Sequence, residues 1–83
     1  MKILWFAWLR TRVGSAEEIL TPPSTVSDVQ GLLEWLKQRS PGHAEALKNL
    51  AVVRVAVNQN YVPLDHAVAA NDEIAIFPPV TGG

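Results

Sequence analysis

Two consecutive prolines near the end of the chain, Pro78 and Pro79, limit how far its last strand can extend. Proline has no backbone N–H and a fixed φ, so the hydrogen-bonded ladder of a sheet cannot continue through the pair. The apolar run Glu73–Phe77, immediately before them, has the alternation expected of a strand. The sequence therefore predicts a folded domain over residues 1–78 and a C-terminal tail over residues 79–83.

The tail continues after Pro79 as Val80-Thr81-Gly82-Gly83 and has little to bury. Terminal residues without a partner are usually mobile, and five extended residues reach roughly 17 Å. Glycine has no Cβ, so Gly82 and Gly83 can enter a narrow channel. We therefore expect a flexible tail whose reactive group is the α-carboxylate of Gly83. A carboxylate is a poor electrophile and needs activation, for example as an acyl-adenylate.

Composition narrows the class of protein. A chain of 83 residues with 48% hydrophobic residues predicts one globular domain. Its seven Lys and Arg are scattered and its net charge is −1, which disfavours nucleic-acid binding. The absence of cysteine excludes disulfides, thiolate metal sites and cysteine-based catalysis.

The N-terminal half predicts a hairpin followed by a helix. Residues 2–9 are aromatic and aliphatic, and we predict a buried strand there, because the run is too short for a signal peptide or a membrane span. We expect a cytoplasmic protein with no membrane association. A turn around Gly14 leads to a second strand over Glu17–Thr21, in which Glu17 and Glu18 are expected to be solvated.

Five apolar residues then follow helical spacing: Val26, Val29, Leu32, Leu33 and Leu36. Overlapping capping-box patterns begin at Thr25 and Ser27, and Asp28 suits the first turn. Gly31 is expected to permit close approach to the sheet. Ser40-Pro41-Gly42 is predicted to end the helix, with a further short helical turn over residues 44–50.

The C-terminal half predicts three more extended segments, over residues 52–58, 61–64 and 73–77. Asn58-Gln59-Asn60 is a predicted turn, and Asn71 is expected to take the left-handed conformation at another. A hairpin, one main helix and further strands indicate an α+β roll in which a mixed sheet grips one helix on one face. This is the β-grasp, or ubiquitin-like, architecture.

Several short segments are typical of one known family: Leu4-Trp5-Phe6-Ala7 with Arg10 and Val13-Gly14, Ala56-Val57-Asn58-Gln59, Asp65-His66, Asp72-Glu73 and, most specifically, Phe77-Pro78-Pro79-Val80-Thr81-Gly82-Gly83. On these residues the chain resembles the small, sulfur-carrying subunits of molybdopterin synthase. Residues 15–50 carry only pattern similarity.

The resemblance implies a mechanism. A ubiquitin-activating-like enzyme uses ATP to adenylate the Gly83 carboxylate, and a sulfur donor protein acts indirectly to convert it to a thiocarboxylate. The tail then enters the large catalytic subunit and donates sulfur to cyclic pyranopterin monophosphate, which builds the molybdopterin dithiolene. The family usually assembles as two small and two large subunits. The chain alone is expected to be a non-catalytic carrier without a stably bound cofactor.

A docking surface is expected on the sheet face away from the helix, which the strand alternation assigns to Leu4, Phe6, Trp8, Ala75 and Phe77, with Tyr61 at its border. The resemblance makes Phe6, Tyr61 and Phe77 the principal partner contacts, joined by Pro78, Pro79, Val80 and Thr81, while Gly82 and Gly83 carry the chemistry. No metal site is predicted, because His43 and His66 are far apart in sequence and lie in turn-like stretches.

Three alternatives share this architecture. One is a sulfur carrier for thiamine or tRNA thiolation, and another is a ubiquitin-like modifier that forms isopeptide bonds. The third is a non-covalent β-grasp adaptor with an inert tail. Removal of Gly83 separates the adaptor from the carriers, because only an adaptor would keep its function.

Overall fold

A five-stranded mixed sheet carries the fold in the computed structural model, which describes residues 1–79. Its strands are β1 (Lys2–Trp5), β2 (Glu17–Ile19), β3 (Arg54–Val57), β4 (Asn60–Val62) and β5 (Glu73–Phe77). The helices are α1 (Ala7–Val13), α2 (Val29–Lys37) and α3 (Pro41–Ala46), with a 3₁₀ turn at Leu50–Val52. The order of strands across the sheet is β2-β1-β5-β3-β4.

The first and last strands along the chain, β1 and β5, are neighbours near the centre of this sheet. β1 and β5 run parallel, with Trp5 opposite Ile76, and all other pairs are antiparallel. Parallel neighbours need a long crossover, which the segment containing the helices supplies. The predicted α+β roll with a mixed sheet and a main helix on one face is therefore confirmed.

The core lies between one sheet face and the helices. Alternate strand residues point into it, and the predicted α2 stripe faces them, so that these side chains are buried: Ile3, Trp5, Val29, Leu32, Leu33, Leu36, Val53, Val55, Val57, Ile74 and Ile76. Asp28 caps α2 by accepting a 2.8 Å hydrogen bond from the Gly31 N–H. The predicted capping boxes at Thr25 and Ser27 are thus wrong. A Cβ at Gly31 would lie 3.1 Å from this cap, so the glycine accommodates Asp28 and not the sheet.

The prediction of a strand over residues 2–9 is half wrong. β1 ends at Trp5, and Ala7, with φ of 55°, turns the chain into α1. The side chain of Leu9, in α1, is fully buried in the core. The helix ends at Gly14, which adopts φ of 88° and whose N–H donates to the Arg10 carbonyl at 2.8 Å. Glycine at such a left-handed C-cap is a helix-ending signal. α1, rather than a tight turn, therefore connects the antiparallel pair β1 and β2.

The helix α2 ends at Lys37, before Ser40-Pro41-Gly42 as predicted, and the further helical turn predicted after it is present as α3. The left-handed conformation predicted for Asn71 is wrong. Ser40-Pro41-Gly42 begins α3, where Ser40 is the N-cap, proline occupies the first turn and the His43 N–H donates to the serine hydroxyl. Positive φ occurs at Asn58 and Gln59, at 50° and 71°, and not at Asn71. These angles match the two central residues of a type I′ turn, the turn that suits the twist of a hairpin. The hairpin of β3 and β4 is therefore built on that turn.

Within residues 1–79, no helix has the length and apolar character needed to cross a membrane. The division into a domain over residues 1–78 and a tail over residues 79–83 stays a prediction.

Candidate functional site

The sheet face away from the helices exposes an apolar surface, here called the outer patch. It is lined by Phe6, Ala56, Gln59, Tyr61, Ala75, Phe77 and Pro78. Register brings these residues together, because Ala56 is opposite both Tyr61 on β4 and Ala75 on β5. The Tyr61 and Phe77 rings contact at a centroid distance of 5.3 Å. Contiguous apolar surface on a small domain is typical of a protein-binding site.

The aromatic side chains of the outer patch are accessible. Tyr61 is 79% exposed and Phe6 is 47% exposed, while Phe77 is half-buried. Ring side chains with this exposure supply large contact area when a partner covers them. The structure therefore brings together the predicted contacts Phe6, Tyr61, Phe77 and Pro78 on one surface.

The last residues that the structure describes lie beside this surface. Phe77 is the last residue of β5, and Pro79 lines an adjoining groove together with Arg54, Tyr61 and Phe77. The predicted tail contacts Val80 and Thr81, and the predicted reactive residues Gly82 and Gly83, lie outside the described residues. A partner that receives the tail at Pro79 necessarily approaches the outer patch.

Trp8 does not belong to the outer patch, contrary to the strand-based prediction. Because residues 7–13 form α1, Trp8 points into a separate groove with Val52, and the Arg12 guanidinium lies 5.8 Å from its ring centroid. The signal for this difference was present in Gly14 and in the basic residues of the last helical turn, which favour a helix terminus. Leu4 does lie on the predicted face of β1, where it is half-buried.

A second cluster of polar side chains lies on the helix side of the sheet and was not expected from sequence. Glu18 accepts hydrogen bonds at one oxygen from the Trp5 indole N–H, at 2.9 Å, and from His43 Nε2, at 2.8 Å. The other ring nitrogen, His43 Nδ1, lies 2.7 Å from the Ser40 hydroxyl. In neutral His43 the proton is on Nε2, because a carboxylate only accepts, and Nδ1 then accepts from Ser40.

This cluster joins β1, β2 and α3. Burial acts to raise the pKa of Glu18, but the hydrogen bonds from His43 and Trp5 outweigh it and hold this pKa below its usual value. Glu17 is solvated as predicted, whereas the Glu18 side chain is only 18% exposed. Ser40 Oγ is already engaged as the α3 cap. We therefore assign the cluster to stability and not to nucleophilic chemistry.

The two histidines do not meet. His43 is buried in α3, not in a turn, whereas His66 is exposed in the first half of the connection between β4 and β5. Among residues 1–79 there is no group of three or more His, Asp or Glu side chains that could hold a metal ion. The chemistry available at the site is therefore recognition by the outer patch next to the point where the tail leaves.

Comparison with known proteins agrees with this geometry. The family model for the ThiS family matches residues 3–83. The molybdopterin synthase sulfur carrier subunit of Escherichia coli is 39% identical and aligns over 100% of this chain and 99% of its own length. The human protein of the same name is 30% identical over 100% of this chain and 93% of its own.

Solved structures give the same result. A Pyrococcus furiosus protein described as a molybdopterin converting factor subunit 1 superimposes with a TM-score of 0.78 at 30% identity, covering 95% of each chain. Small archaeal modifier protein 1 of Methanosarcina acetivorans gives a TM-score of 0.72 at 26% identity, covering 99% of this chain and 94% of that one. With this full-length similarity in sequence and fold, the chain belongs to the ThiS family, among the molybdopterin synthase sulfur carrier subunits.

Proposed function

We propose that Gly83 carries sulfur as a C-terminal thiocarboxylate for molybdopterin synthesis. An activating enzyme joins the Gly83 carboxylate to the AMP portion of ATP and releases pyrophosphate. Sulfide-level sulfur delivered by a donor protein then displaces AMP and forms the thiocarboxylate. The thiocarboxylate transfers this sulfur to cyclic pyranopterin monophosphate, and water restores the Gly83 carboxylate. The chain supplies the carrier group and no catalytic side chain. Because activation consumes ATP, we place this cycle in the cytoplasm.

The observation that carries the proposal is the similarity to sulfur carrier subunits over residues 3–83, which includes Gly82 and Gly83. The absence of cysteine supports it, because sulfur has no thiol to occupy on this chain. The C-terminal carboxyl group is the natural alternative. Extended, residues 79–83 reach about 17 Å, enough to enter a partner's active site.

The large subunit of the synthase is the proposed docking partner, with the outer patch as its binding surface. Phe6, Tyr61 and Phe77 act as aromatic anchors, and Pro78 and Pro79 direct the chain toward the partner. Proline pairs favour an extended backbone, which lowers the entropy lost when the tail is threaded. Val80 and Thr81 would then contact the large subunit at the entrance of the channel that receives the tail. An assembly of two small and two large subunits stays a prediction from the family.

The intact mass of the untagged chain tests the chemistry. After incubation with ATP, the activating enzyme and a sulfur donor, one oxygen should be replaced by sulfur, and fragmentation should map the change to Gly83. A chain ending at Gly82 is the control and should stay unmodified. An unchanged mass of the full chain under these conditions would refute the sulfur-carrier mechanism.

Docking is tested with Phe77→Arg and a matched control, Ile19→Arg. Both changes place arginine on the outer sheet face, but Ile19 is 68% exposed on edge strand β2, outside the outer patch. Phe77→Arg should weaken binding to the large subunit about 30-fold or more, as expected for loss of an aromatic anchor. Ile19→Arg should change it less than about threefold. Equal effects would reject the outer patch as the docking surface.

Modifier activity is a second candidate, favoured by the likeness to small archaeal modifier protein 1 of Methanosarcina acetivorans. A modifier shares the adenylate step but forms an isopeptide bond with a lysine. Incubation with ATP, the activating enzyme and a cell extract separates the two. Protein conjugates that on digestion yield peptides with Gly83 joined to a lysine indicate a modifier, whereas formation of the thiocarboxylate alone indicates the carrier. A carrier for thiamine or tRNA thiolation would also form the thiocarboxylate but would fail to restore molybdopterin synthesis in cells that lack this chain.

A further inference from the structure

Arg54 is a charged residue at the foot of the tail. It begins β3 directly opposite Phe77, the last residue of β5, and lies on the outer sheet face because Val53 and Val55 point into the core. Arg54 and Pro79 line the same groove, next to Tyr61. A cation thus adjoins the apolar outer patch at the point where the tail leaves the domain.

The guanidinium of Arg54 is held in place by the backbone. Its Nη1 donates to the carbonyl of Ala51 at 3.1 Å and to the carbonyl of Val53 at 3.0 Å. Within residues 1–79, no carboxylate forms an ion pair with Arg54, Arg10 or Arg39, whereas Lys2, Arg12, Lys37 and Lys48 each have an acidic partner there. A guanidinium has five N–H donors, so several remain available when two carbonyls share one nitrogen.

We infer that Arg54 is a recognition residue that pairs with a carboxylate on the large subunit, at the rim of the channel that receives the tail. This inference rests on the proposed function. A partner that holds the tail from Pro79 onward covers the groove that Pro79 and Arg54 share. Covering an arginine without a counter-charge is strongly unfavourable, so the partner's surface must provide an acidic group.

The geometry favours a specific carboxylate over general charge attraction. The two carbonyl hydrogen bonds orient the guanidinium before binding, which reduces the entropy lost on pairing. Arginine can then offer two parallel N–H donors to a carboxylate, an arrangement that lysine cannot reproduce. Arg54 would therefore select a partner with an acidic group at one position, beyond the apolar contacts of the outer patch.

The test measures association and dissociation rates of the full chain with the large subunit from the same organism, at low and high salt. Arg54→Leu removes the charge, and Arg54→Lys keeps the charge but cannot offer two parallel N–H donors to a carboxylate. Lys2→Leu is the matched control, because it makes the same change in net charge at the opposite end of the same sheet face. Thermal unfolding verifies that each variant is folded.

Arg54→Leu should raise Kd about 10- to 100-fold, mainly through faster dissociation, as for loss of one partner of a covered charge pair. Arg54→Lys should lie between it and the wild type, and Lys2→Leu should stay within about twofold of the wild type. The dissociation effect should persist at high salt, since covered pairs are weakly screened.

Each of the following outcomes would overturn the inference. Equal effects of Arg54→Leu and Lys2→Leu would indicate net charge alone. A loss confined to the association rate that disappears at high salt would indicate long-range attraction. Tighter binding of Arg54→Leu would indicate that Arg54 instead engages the chain's own C-terminal carboxylate. If Phe77→Arg abolishes docking and Arg54→Leu does not weaken it, only this inference fails; if the wild type does not bind, the proposed docking fails too.

Discussion

Glu18 should contribute far more to stability than its neighbour Glu17, although both are acidic residues of the short edge strand β2. Glu18 accepts from the buried Trp5 indole and from buried His43, at 2.9 and 2.8 Å. The Glu17 carboxylate lies 3.9 Å from Lys2 Nζ, and both of those side chains are about half exposed. Substituting each by alanine separates a buried acceptor from a surface ion pair with nearly the same loss of side-chain volume.

The magnitude follows from the two donors that Glu18→Ala leaves without a partner. Each buried, unsatisfied donor costs about 1–3 kcal/mol, and water entering at the partly accessible Glu18 position offsets part of this. We expect Glu18→Ala to lower the free energy of unfolding by about 2–4 kcal/mol, which corresponds to a Tm lower by about 10–30 °C for a domain of this size. Glu17→Ala should cost less than about 0.5 kcal/mol.

Urea unfolding at pH 7, followed by far-ultraviolet circular dichroism, measures both variants against the wild type. The dependence of stability on urea should stay the same in all three, which shows that the same surface unfolds. If Glu18→Ala and Glu17→Ala differ by less than about 0.5 kcal/mol, the hydrogen bonds to Glu18 do not stabilise the fold, and the structural role of the cluster is refuted.

Three further changes have defined outcomes. The pKa of Glu18 in the folded state is below its unfolded value of about 4.5, so the stability that its carboxylate contributes is present above that pH and is lost as pH falls through the folded pKa. Glu18→Gln should therefore make the free energy of unfolding depend less on pH below about pH 5. An unchanged pH dependence in that range would contradict the structural role of the Glu18 carboxylate. Gly42→Ala should lower the free energy of unfolding by about 1–3 kcal/mol, because its Cβ would contact the Arg12 carbonyl and force α3 away from α1; an unchanged urea midpoint would show that the helices adjust freely. Gln59→Gly should raise Tm by several degrees, about 0.5–1 kcal/mol, because glycine suits φ of 71° at this turn; a lower Tm would contradict the turn assignment.

Local patterns account for the parts of the fold that sequence predicts well. The α2 stripe has helical spacing and an aspartate cap, and β5 alternates Ile74 and Ile76 before two prolines, so each is specified by neighbouring residues. The same alternation placed Phe6 and Phe77 on the outer face with Tyr61 at its border, and the family resemblance selected these three as the partner contacts. The failure at residues 6–9 has a different cause. A run that is apolar at nearly every position is compatible with a strand or a helix, and the helix end at Gly14 together with packing of Leu9 into the core decides for the helix.

Residue types and order by themselves determined the α+β class, the main helix and the apolar strand faces, whereas the sulfur-carrier chemistry was implied by the family resemblance of the ending Phe77–Gly83. Tertiary structure alone decided which distant residues meet. His43 joins Glu18 across 25 positions because α3 packs on the helix side of the sheet, and Arg54 comes opposite Phe77 because of the register of β3 and β5. Trp8 lies in a separate groove, away from the outer patch, because α1 turns it there. Hydrogen bonds and charge pairs act over a few ångströms of space, so their partners depend on how the elements pack and not on separation along the chain.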